Sequence, residues 1–276
     1  MNQVAAINEM TNQAIIGLAH FIHEALDRRL EAIRLARAGW ALLVSGCSPN
    51  APFPGHTLAS YLTDTQRENG GWADVEETLW CLGYLSFYAD NYSTQLGLGK
   101  HWLASVRKPC GAWGKTERDQ SRIPVTGLIS AVCPEVVEPE ALDWLADEWQ
   151  HDLDSSAHLT YKEASFLLGQ LHPEALHEND LVEHTITLLC GEQEDNGGFS
   201  PWKAHPVGSD TWSTGIALWG LAGFASRVPA QTLQRGMSWL QSRQLSNGMW
   251  PYHYLDEGTV MALIWAASAI HYTKGQ

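Results

Sequence analysis

Apolar residues recur at the spacing of one helical face along residues 57–65, 96–106, 179–192 and 230–243, with charged and polar residues opposite them. Each segment predicts a helix with one side in solvent and one side packed. Each is followed, after a short break, by a segment that opens on threonine and is apolar nearly all round: Thr78-Leu79-Trp80-Cys81-Leu82, Thr126-Gly127-Leu128-Ile129-Ser130, Thr214-Gly215-Ile216-Ala217-Leu218 and Thr259-Val260-Met261-Ala262-Leu263. A helix without a polar face needs neighbours on every side. The alternation therefore predicts an outer and an inner set of helices.

The breaks repeat too. Gln66-Arg67-Glu68-Asn69-Gly70-Gly71-Trp72 is echoed by Gln193-Glu194-Asp195-Asn196-Gly197-Gly198-Phe199 and by Gln244-Leu245-Ser246-Asn247-Gly248-Met249-Trp250, with a degenerate copy in Arg107-Lys108-Pro109-Cys110-Gly111-Ala112-Trp113. A long polar residue stands six positions before an aromatic, and glycine two before it. Glutamine at the end of an outer helix can bond backbone groups of the adjoining turn. Glycine permits the left-handed residue that ends a helix, and the ring covers the helix ends. Trp72, Trp113 and Trp250 are thus expected to be staples, not ligand contacts. Two more helix pairs lack the full turn: residues 141–150 lead into 160–171, and an amino-terminal helix over about residues 13–37 leads into 39–46. That makes six pairs, the number that closes an all-α, α6/α6 ring. No low-complexity linker divides the chain, and residues 52–54 and 137–139 read as inter-helix loops, so residues 1–276 are expected to form a single domain.

Composition narrows the partners. Seventeen Lys and Arg against thirty-one Asp and Glu leave a formal charge of −14, which repels nucleic acid and anionic membrane. No apolar stretch has the length of a membrane span. Residues 1–10 lack a basic segment and an apolar core of a secretory signal. Five cysteines without CxxC spacing (Cys47, Cys81, Cys110, Cys133, Cys190) read as reduced, mostly buried thiols of a cytoplasmic protein.

The repeat resembles the QW motif of squalene–hopene and oxidosqualene cyclases, with related copies in protein prenyltransferase β subunits. The resemblance runs from about Thr57 onward and implies an α/α toroid whose central cavity opens where the inner helices begin. Class II cyclases of that family carry Asp-x-Asp-Asp-Thr at such a helix start. This chain has Asp74-Val75-Glu76-Glu77-Thr78, two Asp→Glu departures at the same spacing. The match implies that Glu76 is the general acid, with Asp74 and Glu77 as partners. Protonating an alkene requires an acid that keeps its proton, which crowded carboxylates in an apolar cavity provide. The carbocation is then stabilised by aromatic faces, for which Trp80, Tyr84, Trp212, Trp219 and Trp265 are candidates. The implied substrate is a linear apolar isoprenoid or prenylated aromatic, with no cofactor. A single ring would have its cavity closed by itself, by a second copy or by a partner. Acids at helix starts also act as plain caps, so Asp74–Thr78 reads equally as a capping segment. Asp210 and Asp256, with Glu257, are the reserve acids and candidate caps as well.

Zinc chemistry of the prenyltransferase kind is disfavoured, because Trp212 and Gly258 stand where Cys and His are expected. No DDxxD run supports magnesium–diphosphate ionisation, and His20-x-x-His23 and His151-Asp152-x-Asp154 lack further ligands, so no metal site is assigned. Cys190-Gly191-Glu192-Gln193 resembles the internal thioester motif of complement-type toroids, although Gln193 already belongs to the repeat. A non-catalytic toroid holding a lipid or a protein is the remaining alternative.

Overall fold

The structure is a computed structural model describing residues 3–48, 52–154, 158–175 and 179–274. These residues form twelve α-helices: α1 (Gln3–Asp27), α2 (Ala32–Val44), α3 (Gly55–Asp64), α4 (Val75–Leu85), α5 (Ala89–Ser105), α6 (Ile123–Val132), α7 (Pro139–Leu153), α8 (Thr160–Gly169), α9 (Asn179–Glu192), α10 (Thr211–Ala222), α11 (Ala230–Arg243) and α12 (Leu255–Lys274). Two single 3₁₀ turns follow α4 and α6. The amino-terminal helix expected over residues 13–37 is two helices. The chain turns at residues 28–31, where Arg29 adopts a positive φ of 51°. The apolar pattern runs on across this turn because both helices pack on their neighbours, which hides the boundary. α5 starts earlier than its periodicity suggests, across a kink at Tyr92.

The even-numbered helices contact one another in the order α2, α4, α6, α8, α10, α12, and α12 returns to α2. The odd-numbered helices pack on this closed circuit: α1 on α12 and α2, α3 on α2 and α4, α7 on α6 and α8. Burial follows the same division. Every residue of α10 except Trp212 is buried, whereas α11 buries only one stripe. Large residues and glycines interlock between inner helices, as where Gly127 of α6 leaves room for the backbone of Ser165 in α8.

The repeated turn has one hydrogen-bond scheme in its three full copies. The side-chain amides of Gln66, Gln193 and Gln244 each donate twice: to the glycine carbonyl four residues on, and to a carbonyl of the next outer helix or, for Gln244, of α1. Asn69, Asn196 and Asn247 accept from the backbone two residues later. The aromatic residue's backbone N–H donates to the threonine hydroxyl of the inner helix, at 2.9 Å for Trp72–Thr78, 3.1 Å for Trp113–Thr126, 2.9 Å for Phe199–Thr214 and 3.0 Å for Trp250–Thr259. The indoles of Trp72, Trp113 and Trp250 donate to the carbonyls of Leu62, Leu103 and Leu240 near the ends of the preceding outer helices. All three rings are fully buried, which bears out their reading as staples. In the degenerate copy Arg107 replaces glutamine and pairs with Glu138, the residue that opens α7.

The circuit is tied shut between its first and last inner helices. Arg34 of α2 donates to both carboxylate oxygens of Asp256 in α12, at 3.1 and 2.6 Å, and Arg37 reaches Glu257 at 3.2 Å. Arg34 also lies 4.2 Å from the centre of the Tyr254 ring. The pair α7–α8 has lost the glycine turn, and Glu163 now stands four residues past the helix start, where Thr78, Thr126 and Thr214 stand in other pairs. Its carboxyl is fully buried and has no hydrogen-bond partner among the described residues. Burial, and then the charge of Glu192, push it up to about 8.

Two predictions follow from this packing. Gly197 has φ +93°, and a Cβ there would meet the Arg235 carbonyl oxygen at 2.8 Å. Gly197→Ala should lower unfolding stability by about 1–3 kcal/mol, read by urea denaturation. A carboxyl raised from 4.5 to about 8 binds a proton in the folded chain that the unfolded chain releases. Its contribution is present below pH 4.5 and declines as pH rises toward about 8. Melting curves across that window should show a shallower decline for Glu163→Gln than for the parent chain.

Candidate functional site

The first turns of α4, α6, α8 and α10 surround a cavity of about 370 Å³. Its inner wall is apolar, from Leu79, Val125, Leu128 and Ile216, and its mouth carries Trp212 and Tyr161. Around the rim stand three cations, Lys115, Arg122 and Lys162, and three carboxylates, Glu76, Glu148 and Asp152. Lys162 pairs with Asp152 at 2.7 Å, and Lys115 lies 3.8 Å from Glu76. The charges balance, so the rim is no cradle for a strongly anionic group. Ser165 is fully buried on the wall, and its hydroxyl has no partner.

The acids of the Asp74–Thr78 segment divide by direction. Asp74 caps α4, accepting from the Glu77 backbone at 2.8 Å. Glu77 accepts from Ala73 N–H at 3.0 Å and from Ile33 N–H at 3.2 Å, so it caps α4 and the first turn of α2 together. Both residues are committed to backbone amides that have no partner within their own helices. Glu76, two positions after Asp74 and one before Glu77, lines the cavity. The three acids therefore do not share one pocket.

Asp210 caps α10 through the Ser213 N–H and hydroxyl, each at 2.8 Å. Burial raises its carboxyl above the usual aspartate value, while those hydrogen bonds pull the other way. It faces a separate hollow beside His205, Trp239 and Tyr252. Asp256 has both oxygens bound by Arg34, which gives it a structural part at the α2–α12 seam.

The five aromatic candidates also separate. Along α10, Trp212 and Ile216 face the cavity and Trp219 faces a different hollow, at the opposite ends of the inner helices. Trp80, Tyr84 and Trp265 are fully buried and wall neither space. The Tyr84 hydroxyl is used by the Gly55 carbonyl, to which it donates at 2.7 Å. An inner helix buries all its faces, and only a stripe of period 3.6 meets the axis. Composition alone does not mark that stripe. Lys115, Ser121 and Arg122 come from the loop before α6, whose sequence carries no periodicity to announce them. Tyr161 and Ser165 are one helical turn apart on α8, a signal that was legible.

The geometry also places two other motifs. Gln193 spends its amide on Gly197 and Thr232 as the other repeat glutamines do. Cys190 sits beside Thr232, with a half-buried thiol raised by burial. Cys81 and Cys133 are buried, Cys47 is half-buried and Cys110 exposed; none of the five forms a disulfide. No helix among the described residues is long and apolar enough to cross a membrane.

No family profile and no curated protein matches the chain in sequence. Solved structures match it over nearly its full length. The type II terpene cyclase MstE from Scytonema superposes with a TM-score of 0.73 at 15% identity, covering 97% of this chain and 98% of that one. A variant of that cyclase, solved with its substrate geranylgeranyl dihydroxybenzoate, gives 0.73 at 16% identity, with 96% and 98% covered. A protein from Actinoplanes gives 0.72 at 14% identity, with 96% and 99% covered. A glycosidase is more distant, at a TM-score of 0.59 and 12% identity over 95% of this chain and 98% of its own. At these identities the likeness is one of fold. The structural neighbours include enzymes, among them terpene cyclases.

Asp256→Asn should destabilise the chain by about 3 kcal/mol, because it removes one member of a buried ion pair. Urea denaturation checks this, and a double variant with Arg34→Met should recover part of the loss.

Proposed function

We propose that the closed circuit is a single-domain α6/α6 toroid acting as a class II-type cyclase, with a linear isoprenoid as substrate and Glu76 as the acid. The observation that carries the reading is the division within the Asp74–Thr78 segment. Two acids are consumed as caps, and the one at the resemblance's general-acid position lines a half-open cavity with an apolar inner wall. The full-length likeness to a type II terpene cyclase supports the same reading.

The chemistry asks little else of the protein. Glu76 donates its proton to a terminal alkene carbon, the next double bond attacks the cation so formed, and a ring closes. Loss of a proton from the last cation restores a double bond, so the net reaction is an isomerisation that consumes no other reactant. In the open cavity Lys115 accompanies the Glu76 carboxylate. A bound hydrocarbon expels water from the inner wall, which keeps the cation from being quenched. The rings of Trp212 and Tyr161, which line the cavity, stabilise the cation. The balanced rim suits a substrate with a neutral or singly charged head better than a diphosphate.

The test is incubation with a panel of linear polyprenyl and prenylated aromatic compounds, followed by mass analysis for products isomeric with the substrate. Glu76→Gln should lower turnover by about 10²–10⁴-fold with binding retained, while Asp74→Asn should act chiefly on stability, by about 1 kcal/mol. A parent chain that cyclises no member of the panel but binds one would mark a carrier instead. Full turnover in Glu76→Gln would remove this residue from the mechanism.

A further inference from the structure

The second hollow of the inner ring, where the inner helices end, has a volume of about 630 Å³. It shares no lining residue with the amino-terminal cavity. The indoles of Trp40 in α2 and Trp219 in α10 form part of its wall, their ring centres 5.9 Å apart. These two helices are not neighbours in the circuit, so the two rings meet across the ring's interior. Trp80 packs edge-on against Trp40 at 5.4 Å and backs the pair.

The walls are largely apolar, from residues such as Leu168 and Ile264, and Phe87 stands at the mouth with 44% of its surface exposed. The other polar side chains there are already engaged. The Ser130 and Ser268 hydroxyls donate to carbonyls one turn back in their own helices, and the His172 ring is bonded to the Pro134 carbonyl and the Glu174 N–H. Trp40 and Trp219 differ. Each is more than nine-tenths buried (8% and 7% exposed), no acceptor among the described residues meets either indole N–H, and neither nitrogen is sealed from solvent. Two indoles whose N–H groups meet no acceptor among the described residues therefore belong to the wall of an apolar hollow.

We propose that this hollow is a second ligand site, separate from the Glu76 cavity, which binds an apolar small molecule carrying one hydrogen-bond acceptor such as a carbonyl or ether oxygen. Its volume falls within the range of small-molecule sites, and a mainly apolar lining with a few placed polar groups is their usual chemistry. The acceptor is held by the indole N–H groups and the hydrocarbon body lies against Leu168, Ile264 and Phe87. The inference stands whether or not the Glu76 cavity is catalytic.

The probe is 2-undecanone, a ketone on an unbranched chain, titrated into the full chain by calorimetry. Saturable binding is expected in the parent chain. It should be retained in Ile216→Phe, which narrows only the other cavity, and lost in Ala131→Phe, which fills this hollow from its half-exposed rim. Trp219→Phe keeps a ring but removes a donor, and should weaken binding roughly three- to tenfold, as the loss of one hydrogen bond does. Circular dichroism confirms that each variant is folded, and Trp40→Phe gives a second reading should Ala131→Phe fail to fold. The proposal is overturned if the parent chain shows no saturable binding, if binding falls with Ile216→Phe but not with Ala131→Phe, or if neither tryptophan replacement changes the affinity.

Discussion

A helix enclosed by other helices must find partners within the protein for the amide groups around its first turn, and the repeated turn answers that constraint. Buried backbone donors left without partners are costly. The threonine hydroxyl takes the amide of the aromatic residue, the indole returns to the preceding helix, and glutamine joins the turn to the next outer helix. One module thus solves the polar problem of inner-helix entry and fixes the spacing between successive pairs. Repetition of that spacing brings α12 back to α2.

The same constraint explains why chemistry gathers at one end of the inner helices. Their first turns bring polar side chains into the ring, because the unpaired N–H groups there need caps. Acids recruited as caps lie one or two residues from a position facing the axis. Asp74 and Glu77 serve the backbone while Glu76 faces the cavity, so a capping segment and a reactive carboxyl coexist in five residues. At the other end the repeat places no such demand, and the hollow there is apolar and aromatic.

Where the repeat erodes, other interactions take over. Arg107 substitutes a charged contact to Glu138 for the glutamine bridge. The α2–α12 seam, which joins the two ends of the chain, uses guanidinium–carboxylate pairs, with only the Gln244 bridge to α1 carrying the repeat across. In the α7–α8 pair Lys162 of α8 meets Asp152 of α7 at 2.7 Å, but nothing replaces the threonine. Glu163 occupies the threonine position without a donor to meet it, and the cost appears as a carboxyl that holds its proton to about pH 8.

Local chemistry wrote much of this into the sequence. Glycines such as Gly70 and Gly197 must stand where φ is positive, inner helices must be apolar all round, and the four threonines must open them. The helix pairs, their number and the structural tryptophans were therefore legible, as was the turn's glutamine. The break at residues 28–31 was not, since two helices packed on the same core continue one apolar pattern. Tertiary structure alone decided direction. Glu76 faces inward while Asp256 is spent on Arg34, and Trp212 and Trp219 on one helix face different hollows. Which side of a fully buried helix meets the axis depends on the neighbours that surround it, and a single strand of sequence does not name its neighbours.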